Sequence, residues 1–286
     1  MPIEAFSKDI PTMDKQVELA IRAEELGFKG LWFRDIPLRD PNFGDVGQIF
    51  DPFVYMAYIA SKTSTITLAT GSVVLPLHHP IDIAKAAASV DVLSKGRVVL
   101  GTAAGDRPLE FPAYGIDYDS RESRYRETIE YMKSLFSNYF PLIRSNLGEM
   151  INSDMLPKPY ESNIAMMTTA YALQSQEWIA KNSDGWINFP QPIERLEKTL
   201  KQWRVLTKPY GFKPYTLGLM LDLLEDDEAG PYAIHLGFSS GKKYLISYLT
   251  KIRELGVNHI IFYLKLSKRP ANEVIEELGK DILPFI

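Results

Sequence analysis

The chain has 286 residues, 45% of them hydrophobic and 24% charged, with a formal net charge of −4 and no cysteine. These proportions describe a globular protein with a substantial core and exclude disordered and collagen-like classes, disulfide frameworks, thiolate metal sites and cysteine nucleophiles. Lysines and arginines scattered among acidic residues form no basic stripe for nucleic acid, no run reaches membrane-spanning length, and Met1–Phe6 lacks the basic-then-apolar form of a signal peptide, so the expected location is the cytoplasm.

In chain order, a helix is expected at Met13–Leu26, then a strand at Phe28–Phe33, a helix at Pro52–Lys62 and a strand at Thr65–Thr70. A helix at Pro80–Leu93, a strand at Arg97–Thr102 and a helix at Arg121–Phe136 follow. After an irregular stretch at Tyr139–Tyr160 come a strand at Ile164–Thr169, a helix at Ser175–Asn182, a strand at Gly185–Phe189 and a helix at Pro192–Leu206. The chain closes with a strand at Tyr215–Leu221, a helix at Lys242–Leu255, a strand at Val257–Leu264 and a helix at Ala271–Leu278. Two helices end alike, in Glu-Glu-Leu-Gly27 and Arg-Glu-Leu-Gly256, with glycine where a C-cap favours left-handed backbone and an apolar strand directly behind it.

Seven strands alternating with eight helices predict a (β/α)8 TIM barrel of one domain over residues 1–286, with its first strand shortened or missing. Only Met1–Phe6 precede the first helix, and Pro2 sits among them, so a stub or a start shortened relative to relatives is expected. The 139–160 stretch reads as an insertion of the kind that shapes a substrate mouth.

In this fold the C-terminal strand ends build the site. Polar and small residues gather at those positions: Arg34 and Asp35; Thr70, Gly71 and Ser72; Gly105, Asp106 and Arg107; Thr168, Thr169, Gln174 and Ser175. Small residues let a flat ring approach the backbone. His78 and His79 read either as a loop or helix-capping pair or, for His79, as a group on the substrate side of a cofactor. Arg107 reads as a bidentate phosphate ligand or as a surface partner of Asp106 or Glu110. Two helix starts offer amides to a phosphate, Gln174-Ser175 and Ser239-Ser240-Gly241, although serine there also serves as an N-cap. Four histidines without ligand spacing predict no metal site, and no Gly-Xaa-Ser-Xaa-Gly elbow or carboxylate pair supports hydrolysis.

Four segments, Arg22–Asp35, Leu68–Pro80, Ala84–Gly101 and Gly105–Gly115, resemble the bacterial luciferase-like class of flavin-dependent oxidoreductases. The most recognisable is Ala-Lys-Ala-Ala-Ala-Ser-Val-Asp-Val-Leu-Ser-Lys-Gly-Arg-Val-Val-Leu-Gly, in which Asp91, Ser94, Gly96 and Arg97 would fix a turn. Gln174–Trp186 and Ile234–Phe238 resemble a subgroup of luciferase-type oxidoreductases. The resemblance implies reduced FMN, delivered by a separate NAD(P)H flavin reductase, acting with O2 on a small organic substrate such as an aldehyde or sulfonate. It also implies a homodimer. The alternatives are a deazaflavin-dependent hydride-transfer enzyme and a catalytically silent flavin-binding protein. By resemblance Thr70 and Gly71 meet the ring beside Ser72 and Gly105, Arg107, Gln174 and Ser175 meet the phosphate, and a non-proline cis peptide falls at Gly71–Ser72 or Ser72–Val73. Arg34, Asp35 and His79 are the expected polar groups facing substrate. The chain departs from several relatives in having Arg34-Asp35 where they carry a histidine, and His78 where the nearest pattern carries arginine.

Overall fold

A computed structural model describes residues 1–286. Its elements are α1 (Gln16–Glu25), β1 (Gly30–Phe33), α2 (Pro52–Ala60), β2 (Thr67–Val74), α3 (Pro80–Ser94), β3 (Val98–Ala103), α4 (Glu110–Ala113), α5 (Arg121–Ser137), β4 (Ile143–Ser145) and β5 (Gly148–Met150). They continue with β6 (Ala165–Thr169), α6 (Gln176–Asn182), β7 (Gly185–Asn188), α7 (Ile193–Thr207), β8 (Tyr215–Leu223), β9 (Tyr232–Ile234), β10 (Gly237–Ser240), α8 (Lys242–Leu255), β11 (His259–Tyr263) and α9 (Ala271–Glu277). All seven expected strands and eight expected helices are present, α/β throughout. The chain forms two compact units, residues 30–174 and residues 1–29 with 175–286.

In the unit 30–174, β1, β2, β3 and β6 pair in parallel, with Phe33 opposite Thr70, Thr70 opposite Leu100 and Leu100 opposite Met166. Side chains alternate between faces of a strand, so this register puts Phe33, Thr70, Leu100, Thr102, Met166 and Thr168 on one face. That face carries the helices. Phe33 meets Tyr55 of α2 edge-on at 5.3 Å, and the buried Tyr125 hydroxyl of α5 bonds Thr102 at 2.8 Å and Thr168 at 2.9 Å. The opposite face holds Trp32, Ala69, Gly71, Val99, Gly101, Ala103 and Met167, and it narrows to small residues toward the strand ends. Pro52 and Pro80 start α2 and α3, where a missing N–H costs nothing, and Asp51 caps α2 by accepting from the amides of Phe53 and Val54, each at 2.9 Å. The 139–160 insertion folds into the antiparallel β4–β5 hairpin.

In the second unit, Thr216 and Leu217 of β8 pair with both β7 and β11, which makes β8 the middle strand of three parallel ones. Met220 pairs with Gly237 of β10 and with Tyr263 of β11, so β10 lies along the β7 edge of β8. This extra strand and its partner β9 lay beyond the sequence expectation, because short runs such as Gly-Phe-Ser-Ser carry little periodic signal. Trp186 anchors the core, 5.1 Å from the Trp203 ring and 5.4 Å from Tyr215. Gly27 and Gly256 adopt φ of +87° and +107°, as the repeated Glu-Leu-Gly endings predict. Met1–Phe6 forms no strand: the Ile3 amide donates to the Gln16 side chain at 2.8 Å and the Phe6 amide to the Lys265 carbonyl at 3.1 Å.

Candidate cofactor and substrate site

Every predicted site residue except Ser175 falls in the unit 30–174. At the end of β2 the Gly71–Ser72 peptide is cis, and the β2–β3 register shifts between Thr70 and Val73. The Ser72 hydroxyl is hydrogen bonded to the Thr169 hydroxyl at the end of β6, and the Ser72 carbonyl accepts from the Asp35 amide at 3.4 Å. Gly71 lies against Trp32, whose Cε3 would be 3.3 Å from any Cβ added there, so the floor at this point is backbone on indole. Thr70 lies on the helix-facing side, where its hydroxyl donates to the Gly101 carbonyl at 2.7 Å and its exposure is 0%. Its side chain therefore braces the strand from behind. Gly105, at φ +87°, turns the chain after β3 where a Cβ would come within 2.8 Å of Val74.

The two histidines divide the two readings between them. His79 is the N-cap of α3: its Nδ1 accepts from the Ile81 amide at 3.2 Å, and its Nε2 sits 3.0 Å from the Leu147 carbonyl in the turn of the β4–β5 hairpin. Both ring nitrogens are occupied, so its expected place facing substrate gives way to a capping role. His78 instead reaches Asp35, Nε2 to Oδ2 at 2.7 Å. The same carboxylate oxygen accepts from the Val74 amide at 3.0 Å, which fixes its direction. Burial pulls the His78 pKa down, but the hydrogen bond and charge of Asp35, helped by Asp51 and Glu110, outweigh it and hold the imidazole above its ordinary value. Asp35 is buried behind His78 rather than open to substrate.

Arg34 and Arg107 are brought together by one residue, Asp45. Its carboxylate accepts from Arg34 at 2.6 Å and its carbonyl from Arg107 Nη2 at 2.8 Å. Arg107 is 6% exposed, its guanidinium lies 4.5 Å from the Phe43 ring, and its Nη1 is buried without a hydrogen-bond partner. Glu110, 2% exposed, also keeps one carboxyl oxygen, Oε1, unpartnered. Burial pushes its pKa up to about 7 against the pull of Arg107 and the Leu38 amide, with Asp35 and Asp106 pushing the same way as burial. The sequence reads Glu110 only as a partner for Arg107; its burial has no local signature.

The Gln174 side chain is fully used: it accepts from Arg126 Nε and donates to the carbonyls of Glu122 at 3.3 Å and Ala172 at 3.1 Å. It ties the 170–174 turn to α5. In the other unit, Ser175 caps α6 by accepting from the Trp178 amide at 3.2 Å. At the later helix start, the Gly241 amide donates to the Ala229 carbonyl at 2.8 Å, the Lys243 amide to Asp227 at 3.3 Å, and Ser239 to Asp222 at 2.8 Å. The protein's own loop fills that anion position. No group of three or more histidine and acidic residues is arranged to hold a metal ion, and no helix is long and apolar enough to cross a membrane.

These features fit a flavin. Gly71 and Ala103, both partly exposed, leave small or absent side chains where a planar ring could approach, and the buried, unpartnered Nη1 of Arg107 is the kind of donor an anionic group satisfies. The chain is 30% identical over 241 residues to the F420-dependent hydroxymycolic acid dehydrogenase of Mycobacterium tuberculosis, covering 78% of this chain and 62% of that protein. It is 33% identical over 125 residues to the oxygenase component of the flavin-dependent trigonelline monooxygenase of Acinetobacter baylyi, covering 43% and 33% of the two chains. The chain thus spans less than two thirds of the length of these relatives. Among solved structures, a Streptomyces bottropensis monooxygenase superposes with a TM-score of 0.81 at 21% identity over 97% of both chains, a likeness of fold. The fold is the luciferase-like TIM barrel. Relatives in this family use a flavin or the deazaflavin F420. The family described as luciferase-like monooxygenase matches residues 4–221, and the chain belongs to it.

Proposed function

We propose that this protein is the oxygenase of a two-component system, using reduced FMN from a separate NAD(P)H flavin reductase and O2 to oxidise a small organic substrate. The observation that carries the reading is Arg107, a desolvated guanidinium with a free N–H at the end of β3, which suits the flavin phosphate. Bound reduced flavin would supply the electrons and the activated oxygen. The protein's own part is positional. Gly71, Ser72 and Gly105 supply backbone close to the ring, Thr70 braces β2 from behind, and Arg34 holds the 43–47 loop through Asp45. Gln174 shapes the turn that would face the phosphate from β6 onward, and in the other unit Ser175 caps α6. In this reading the partners are the small substrate, the reductase and a second copy of the chain, in the cytoplasm.

A second reading has its own support: identity to an F420-dependent dehydrogenase extends over 78% of this chain, further than to the trigonelline oxygenase. There the deazaflavin would exchange hydride with the substrate and oxygen would take no part. The two separate in one assay, in which candidate substrates are offered with FMN, reductase and O2, or with F420 under argon. Oxygenated product only in the first arm supports the oxygenase; substrate oxidation only in the second assigns the dehydrogenase. FMN saturation with hydrogen peroxide as the sole product in the first arm, together with no substrate oxidation in the second, counts against both and leaves a silent flavin binder.

A further inference from the structure

The polar groups at the ends of β1 and β2 form a unit that the flavin reading does not use. Asp35 lies immediately behind the floor: its amide is bonded to the Ser72 carbonyl and its carboxylate to the Val74 amide, so it is locked to both sides of the Gly71–Ser72 turn. From that position it takes the Nε2 edge of His78. Carboxylate on Nε2 fixes the neutral tautomer with its proton there and its lone pair on Nδ1. Nδ1 has no protein partner, and His78, with 21% of its side chain exposed, remains in contact with solvent. Groups facing this imidazole come from every packed element: Asp35 after β1, Asp51 at the start of α2, Glu110 in α4, and Tyr114 just beyond, its ring 6.3 Å away. Arg107 and Asp106 face Glu110 in turn.

We propose that His78, oriented by Asp35, is a proton-transfer group of this site, acting through Nδ1 on an oxygen-bearing substrate such as a carbonyl compound; this deepens the flavin-dependent reading and rests on it. In the transfer the Nδ1–H bond breaks and an O–H bond forms on a substrate oxygen that has gained negative charge. Imidazolium becomes neutral imidazole, Asp35 remains a carboxylate throughout, and no electrons change hands. Water reaching the partly exposed imidazole returns the proton. A fixed arginine at position 78 would hold the same carboxylate yet have no proton to give near neutral pH, so histidine here adds chemistry to a contact that arginine would make purely structural. Asp35 is the positioning residue. Asp35 raises the His78 pKa from its ordinary value, which favours the imidazolium that gives the proton.

The test uses full-length protein loaded with FMN. Ring 15N and 1H signals of the four histidines, assigned with His78→Asn, give the tautomer and midpoint of each. In parallel, bound FMN is photoreduced and mixed with O2 and a panel of small carbonyl compounds, and oxygenated product is followed against pH; no product from any of them overturns the substrate class. The expected result is a His78 signal protonated on Nε2, titrating above 6.5. Product formation slows about tenfold per pH unit beyond that same midpoint, the slope of a single required proton. His78→Asn and His78→Arg bind FMN as the wild type does but lose the break, and Asp35→Asn moves both midpoints down together. A break that survives in His78→Asn, or an imidazole that does not titrate between pH 5 and 9, overturns the proposal. Failure of FMN and F420 alike to raise the melting temperature overturns the cofactor reading instead, and the imidazole titration then decides the dyad by itself.

Discussion

Arg97 and Arg107 flank the same strand, β3, and the fold treats them in opposite ways. The Arg97 side chain, before the strand, donates five hydrogen bonds: to Ser94, Thr63 twice, Ile66 and Ala60, at 2.9–3.2 Å. Beside it Asp91 accepts from the amides of Val98 at 3.2 Å and Tyr160 at 2.8 Å. Arg107, after the strand, makes one hydrogen bond and buries an idle N–H, next to Glu110 with an idle oxygen. A buried polar group left unpaired costs roughly 1–3 kcal/mol, so one end of the sheet is arranged for stability while the other carries an unmet demand. That asymmetry is what a ligand-binding rim requires of a fold whose opposite rim holds it together.

The largest expected effect comes from the saturated end. Arg97→Ala strands carbonyls from three segments and is expected to cost about 3 kcal/mol or more in urea unfolding, with little change in FMN affinity. A loss below about 1 kcal/mol would erase the contrast. Glu110→Gln probes the other end through pH. Because the folded carboxyl is held at about 7 against 4.5 unfolded, the folded state keeps a proton that the unfolded chain releases, so stability falls as pH rises from 4.5 to 7. Glutamine removes that fall and is expected to gain up to roughly 3 kcal/mol relative to wild type at pH 8, with no gain at pH 4. Equal stability curves for the two proteins would mean that Glu110 is not held neutral. Smallest is His79→Ala, an N-cap loss of about 1 kcal/mol. If it alters the pH dependence of product formation more than His78→Asn does, the division of labour between the histidines is reversed.

Much of this was legible before any coordinates. Alternating apolar runs and Glu-Leu-Gly helix ends locate every main strand, because periodicity and left-handed caps are local properties. The resemblance marks Asp91, Ser94 and Arg97 as a structural turn, yet the reach of Arg97 back 31–37 residues to Ala60, Thr63 and Ile66 has no local signature. The rim is less readable. His78 and His79 are adjacent and chemically identical, and only the rise of α3 decides which one caps it and which one turns to Asp35, 43 residues away. Thr70 stands in the strand-end motif, yet one step of alternation puts its hydroxyl behind the sheet. Gln174 has the composition of an anion ligand, but its bonds to Arg126 and Glu122 depend on where α5 packs. The β9–β10 pair and the raised pKa of Glu110 arise from burial by distant segments, which no local pattern records.

The claim that the rim arginine waits for an anion is tested most directly by titrating FMN into wild type and Arg107→Ala by calorimetry, with urea unfolding run alongside. The account predicts at least tenfold weaker binding, about 1.4 kcal/mol, in a variant no less stable than wild type. Equal affinity in the two proteins, or weakened binding matched by an equal loss of stability, would contradict it.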